Sequence, residues 1–219
     1  MSKEYSFNVM PSVSISRSRF ARKSQHKTSF NMGQIIPVYV DEVLPGDTRS
    51  LDMASLVRMS TPIAPIMDNI YLDFYAFFVP NRLVWVHWKE FMGENNASAG
   101  IPAITYSIPG LEVSSADPDD VDIDFDQIGS YMGLPLGTAA CRSHVSVLPG
   151  RGYALIYNEW FRNQNIIAPL PIQTGDLGEV LVGDYAGDTS MYEQAPLLAS
   201  KLADYFTKGT LAVEPAEID

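Results

Sequence analysis

Ile70-Tyr71-Leu72-Asp73-Phe74-Tyr75-Ala76-Phe77-Phe78-Val79 is the stretch that decides how this chain is read. At period two, Ile70, Leu72, Phe74, Ala76 and Phe78 share one face, and Tyr71, Asp73, Tyr75, Phe77 and Val79 share the other. Aromatic and β-branched residues dominate, as they do in strands, and the run is far short of the ~18 apolar residues of a membrane span. Both faces are mostly apolar. The sequence therefore predicts a strand covered on both sides, one by the core and one by an insertion or another subunit.

Upstream, Ile35 to Val43 is strand-like, with Pro37 marking an edge position or a strand start. Leu44-Pro45-Gly46-Asp47 then places Pro and Gly at the two central positions of a type II turn, where Pro presets φ and Gly accepts φ > 0. Leu51, Met53, Val57 and Met59 follow on one face of a second strand, so the spacing predicts a hairpin. Thr61-Pro62-Ile63-Ala64-Pro65 interrupts it, because each Pro removes a ladder donor. Downstream, Leu83 to Met92 reads as a short helix or turn stopped by Gly93. Residues 93–150 are rich in Gly, Pro, Ser and Asp and are expected to form an elaborated surface excursion. Gly150 to Asn163 reads as an amphipathic helix, with Tyr153, Ile156, Tyr157 and Trp160 at i, i+3, i+4 and i+7. A short Glu179-Val180-Leu181-Val182 run follows, then a last helix carrying Leu198, Leu202, Tyr205 and Phe206. Strand and turn signals dominate, so the fold class expected is mainly β, a sandwich with long loop insertions and a few helices.

The 219 residues and 24 aromatics suffice for one domain with a real core. The single cysteine, Cys141, permits no internal disulfide, and the N-terminus has no apolar core for a secretory signal. These features predict a soluble chain made in a reducing cytoplasm. The net charge of −11 argues against nucleic acid only on average. Residues 1–30 hold six basic residues and one acid, whereas the remaining 189 hold nine basic and 25 acidic. A basic arm on an acidic body is a hint of a tail with its own partner. Arg17, Arg19, Arg22, Lys23 and Lys27 are its candidate phosphate contacts. Five single-strand phosphate pairs would give a log–log salt slope of about −3.5, without base specificity.

Little else in the sequence carries chemistry. Asp122, Asp124 and Asp126 open like a calcium loop, but Gln127 and Gly133 stand where Gly and Glu are required, so a solvated acidic strand face is the better reading. The histidines His26, His87 and His144 are scattered, and Gly150-Arg151-Gly152 matches no phosphate-binding loop. No metal, cofactor or catalytic residue is expected. Trp85, Trp88 and Trp160 could stack on bases or sugars, although such aromatics are more often core or interface anchors.

Three blocks resemble a known family: Ile36-Pro37-Val38-Tyr39-Val40-Asp41-Glu42-Val43-Leu44-Pro45-Gly46-Asp47, Pro65-Ile66-Met67-Asp68-Asn69-Ile70-Tyr71-Leu72-Asp73, and Phe78-Val79-Pro80-Asn81-Arg82-Leu83-Val84-Trp85. With Tyr157-Asn158-Glu159-Trp160-Phe161-Arg162 and Asp204-Tyr205-Phe206-Thr207, they are similar to the major capsid proteins of microviruses, specifically the gokushovirus branch. The resemblance implies a viral jelly roll, with residues 1–30 as an arm and 31–219 as a capsid domain carrying an insertion at roughly 93–150. It implies many copies assembling into a small T=1 icosahedral shell around a circular single-stranded DNA genome, with other virion and scaffolding proteins and no membrane. Assembly would take place in the host bacterial cytoplasm, and no catalysis is implied. Tyr71, Tyr75, Phe77, Trp85, Trp88 and Trp160 are then expected at subunit interfaces. Members of the family are much longer, so the remaining strands are expected from a further chain or segment, and residues 1–219 alone should not form a stable monomer. The competing expectations are a carbohydrate-binding sandwich using Trp85 and Trp88, and a hydrolase using Asp122, Asp124 or Glu159.

Overall fold

A computed structural model of the chain describes residues 16–94, 104–113, 125–136, 145–181 and 191–199. In chain order the elements are α1 (Asn81–Val84), α2 (Trp88–Phe91), β1 (Leu111–Val113), α3 (Ile128–Tyr131), α4 (Leu148–Ile156) continuing into a π turn (Tyr157–Phe161), β2 (Glu179–Leu181) and a 3-10 turn (Met191–Glu193).

Helix α4 organises the core, where the apolar spacing placed a helix. Pro149 stands in its first turn, where the missing N–H has no helical partner to lose. Leu148, Tyr153 and Ala154 are buried. Leu148 packs with Val84 and Trp85 of the α1 region, and Val79, Trp88, Tyr106 and Leu155 close around them. At its end the helix widens, and Arg162 N–H bonds Tyr157 O at 2.9 Å. That extra residue turns Trp160 outward while Phe161 stays buried.

The α1–α2 region follows the sequence reading. Pro80 starts the first turn, with Leu83 N–H on its carbonyl at 2.9 Å, and Gly93 ends the second at φ +102°.

The stretch 93–150 differs from a purely superficial excursion. Leu111, Ile128, Tyr131 and Val147 are buried. Strand β1 pairs in parallel with β2, Leu111 opposite Glu179 and Val113 opposite Leu181. On its other side Leu111 N–H bonds Val145 O at 2.8 Å, and Val147 N–H bonds Pro109 O at 3.1 Å. A second small core of Leu111, Val147 and Tyr192 forms beneath, flanked by Met132, Leu134 and Val145. Tyr192 locks it: its hydroxyl donates to Ser146 O at 2.8 Å and accepts from Gly150 N–H at 3.1 Å.

Residues 36–79 differ most from the expected hairpin. The turn is present, with Asp47 N–H on Leu44 O at 3.1 Å and Gly46 at φ +85°. The two arms leaving it do not pair with each other or with the run 70–79. Among the described residues no strand ladder runs through 36–79, and the backbone-to-backbone bond seen there is the one that closes this turn. An isolated two-stranded ribbon is marginal in water, and its apolar face here has no second layer to lie on. The segment remains extended, with Leu51, Met53, Val57, Met59, Ile70, Leu72, Phe74 and Phe78 exposed. Of the last helix expected, Leu198 instead bridges Gln34 in antiparallel fashion, and the rest lies outside the described residues.

Candidate assembly and nucleic-acid surface

Residues 33–35 are the point where the N-terminal part joins the body. Ile35 N–H bonds Leu197 O and Ala199 N–H bonds Gly33 O, both at 2.9 Å. The buried Tyr153 hydroxyl completes the junction, donating to Ile35 O at 2.9 Å and accepting from Leu197 N–H at 3.2 Å. Burial pushes the Tyr153 phenol well above its ordinary pKa, so it stays neutral and able to donate.

Upstream of that junction the described part of the arm, residues 16–30, is extended and exposed. It touches α3, whose Tyr131 hydroxyl donates to Ser29 O at 3.2 Å. Arg17, Arg19, Lys23 and Lys27 face solvent. Arg22 is exposed as well but is engaged: its Nη1 reaches Asp41 Oδ1 at 2.8 Å and Oδ2 at 2.7 Å. The same carboxylate accepts from Tyr39 OH at 2.7 Å and from Arg49 Nη1, while Arg49 Nη2 holds Glu42 O. Tyr39's hydrogen bond, then Arg49 and Arg22, hold the Asp41 carboxyl below the usual carboxylate range. The sequence reading found Arg22 but missed Tyr39, Asp41 and Arg49. Nothing local links residues 19 positions apart in an extended chain.

The expected interface residues divide into two groups. Trp85 is 0% exposed, and its indole N–H donates to Asp176 Oδ1 at 2.8 Å. It is internal packing and a tether for residues 174–177 rather than a surface anchor. Trp88, half-buried, leans on it at 6.2 Å between ring centroids. With Trp85 enclosed, the pair offers no platform for a sugar, and the carbohydrate-binding reading loses its site. Tyr75, Phe77 and Trp160 come together instead. Phe77 lies 5.5 Å from Trp160 and 6.0 Å from Phe161, and Tyr75 meets Phe161 edge-on at 5.4 Å. Trp160 is 62% exposed at the rim of this patch. Tyr71 is exposed farther along the same strand face.

The loop at 174–177 is fixed by buried polar contacts. Arg151, 2% exposed, donates to Val84 O at 3.3 Å, Gly175 O at 3.1 Å and Leu177 O at 2.9 Å. His87 Nδ1 lies 2.7 Å from Asp176 Oδ1, and its ring stacks on Tyr106 at 4.2 Å. The Trp85 and His87 hydrogen bonds lower the pKa of Asp176, with Arg151 adding to the effect. A signal for Arg151 existed in the sequence: it shares the α4 face of Leu148 and Leu155, at i+3 and i+7. Asp122 and Asp124 lie outside the described residues, and Asp126 is exposed.

Exposed apolar side chains recur over some thirty residues, 51–79, beside a basic arm held to the body through Arg22 and Asp41, and an exposed apolar patch of that extent is the mark of an interaction surface. The chain belongs to the capsid protein (F protein) family, whose sequence model matches residues 8–214. It is 39% identical to Capsid protein VP1 of Chlamydia phage 1 over 211 residues, covering 92% of this chain and 34% of that protein. It is 36% identical to Capsid protein VP1 of Bdellovibrio phage phiMH2K over 209 residues, covering 93% of this chain and 35% of that protein. The Capsid protein VP1 of Spiroplasma virus 4 is 34% identical over 190 residues, with 83% and 32% covered. The chain thus spans about a third of the length of the curated relatives it matches. The resemblance to gokushovirus-type capsid proteins, read from residues 36–47, 65–73 and 78–85, is borne out.

Proposed function

We propose that this chain supplies part of a jelly-roll capsid subunit, many copies of which form a small T=1 icosahedral shell around a circular single-stranded DNA genome. One observation carries the reading: the family match over 8–214 coincides with an extended run most of whose apolar side chains are exposed. In the assembled subunit the segments 35–43, 51–59 and 70–79 take up ladder partners, from further polypeptide corresponding to the remaining length of the relatives and from neighbouring copies. The patch of Tyr75, Phe77 and Trp160, with Tyr71 beyond it, is buried at a subunit contact. Arg17, Arg19, Lys23 and Lys27 face the genome and neutralise phosphates without reading bases. Assembly takes place in the cytoplasm of the bacterial host with the help of other virion and scaffolding proteins, and the subunit performs no catalysis.

Sedimentation velocity with absorbance at two wavelengths tests this on natively purified material. A single fast boundary carrying nucleic-acid absorbance is the expected result. A slow boundary free of DNA, at the mass of a monomer or dimer, would refute the assembly reading.

A further inference from the structure

We infer that Arg22, Arg49 and Tyr39 form a phosphodiester-binding site that the chain's own Asp41 carboxylate occupies until densely packed phosphate displaces it. The inference rests on the reading of residues 17–27 as a nucleic-acid arm.

The geometry comes first. Two guanidinium groups from points 27 residues apart in sequence converge on one carboxylate, and a phenol hydroxyl donates to the same oxygen as Arg49. Arg22 spans both oxygens. A backbone phosphate has the same single negative charge and the same pair of free acceptor oxygens, so every donor on Asp41 has a use on a phosphate. Access follows from exposure. The side chains of Arg22, Arg49 and Asp41 are 61%, 31% and 18% exposed, so a strand reaches both guanidiniums without opening any core. Ion pairs this close to solvent are weak and exchange readily. Glu42 adds a neighbouring negative charge, so the occupied cluster carries no net positive charge to attract a strand from a distance. Removal of Asp41 changes that balance.

The position of the cluster gives the exchange a consequence. Arg22 belongs to the arm and Asp41 to the body, so their pair clips the arm down. A phosphate that takes Arg22 from Asp41 frees the arm to follow the strand, while Arg49 stays behind as a contact on the body. The carboxylate is thus a placeholder, displaced only where phosphate is dense.

Binding of the full chain to a fluorescein-labelled oligo-dT, followed by anisotropy between about 50 and 400 mM salt, tests this. A dilute oligonucleotide leaves Arg22 and Arg49 on Asp41, so the exposed cations of the described arm, Arg17, Arg19, Lys23 and Lys27, predict a slope of about −2.8. Asp41→Asn frees two more, and the slope steepens to about −4.2, with tighter binding at low salt. Adding Arg49→Gln to Asp41→Asn brings the slope back to about −3.5, and Asp41→Glu keeps the wild-type value. If wild type and Asp41→Asn bind with the same slope and affinity, the placeholder is refuted and the arm reading stands. If Asp41→Glu is as steep as Asp41→Asn, the carboxylate is not the competitor and the inference fails. If no form of the chain binds, the arm reading fails and this inference with it.

Discussion

Replacing Tyr153 with Phe removes one oxygen and almost no volume from the junction between residues 33–35 and 197–199. That oxygen donates to Ile35 O and accepts from Leu197 N–H, at 2.9 and 3.2 Å. Its loss orphans an acceptor and a donor beside a side chain that is only 6% exposed. Each net hydrogen bond is worth about 0.5–1.5 kcal/mol, so the pair contributes about 2 kcal/mol to keeping the junction closed. Since 1.4 kcal/mol is a factor of ten, local opening should become roughly 30-fold more frequent. The amides of Ile35 and Ala199 report it directly, because each is bonded across the junction at 2.9 Å. Hydrogen exchange on wild type and Tyr153→Phe should show both amides accelerated together, with Arg151 N–H on Val147 O, inside α4, much less affected. Exchange at Ile35 and Ala199 unchanged within about twofold would refute the reasoning, since the hydroxyl would then carry none of the closure.

Four further predictions concern the core and the contacts that tether loops to it. Arg151→Met keeps the bulk but leaves Val84 O without its charged donor, while Gly175 and Leu177 are exposed enough for their carbonyls to find water; a loss of about 2–4 kcal/mol is expected in a urea titration. Gly150→Ala brings a Cβ to 3.3 Å from Tyr192 Cζ and 3.5 Å from Met191 Cβ, so overpacking of about 1–3 kcal/mol should outweigh a helix-propensity gain of up to about 1 kcal/mol and lower Tm. The two titrating anchors bracket the pH range. Asp176, its pKa lowered by the Trp85 and His87 hydrogen bonds, holds residues 174–177 fully above about pH 4 and lets go as pH falls further. Tyr153, its pKa raised by burial, stabilises fully below about pH 10 and ceases to as the unfolded phenol ionises above it. Trp85 fluorescence should report an acid transition that Asp176→Asn removes, and Tyr153→Phe should blunt the alkaline one.

Elements fixed by neighbours in sequence were legible, and those fixed by distant partners were not. Pro45-Gly46 dictates its turn and Gly93 its helix stop, because φ is decided by the residue itself. Helix α4 was legible from the spacing of its apolar residues, although the outward turn of Trp160 depends on a π turn that spacing does not encode. The three-residue β1 carries too little pattern to identify alone, and its partner β2 lies 68 positions away. The run 70–79 carries a strong strand pattern, yet side-chain alternation specifies a ladder partner no more than a single zipper half specifies its mate. Of the candidate surface, the charge of the arm was plain in composition. Its attachment to Asp41, and the enclosure of Trp85, depend on contacts that composition cannot carry.

The antiparallel bridge of Gln34 to Leu198 also sets a clock on the ribosome. Residue 34 leaves the exit tunnel 164 positions before its partner. At about 5–20 residues per second, that is a wait on the order of 10–30 s. Throughout it the nascent chain trails the apolar segment 51–79 behind a junction that cannot yet close, while polysomes hold many such chains side by side. Synthesis rate and chaperone supply where the chain is made should therefore bear on the yield of folded chain, and slowing translation should lower it.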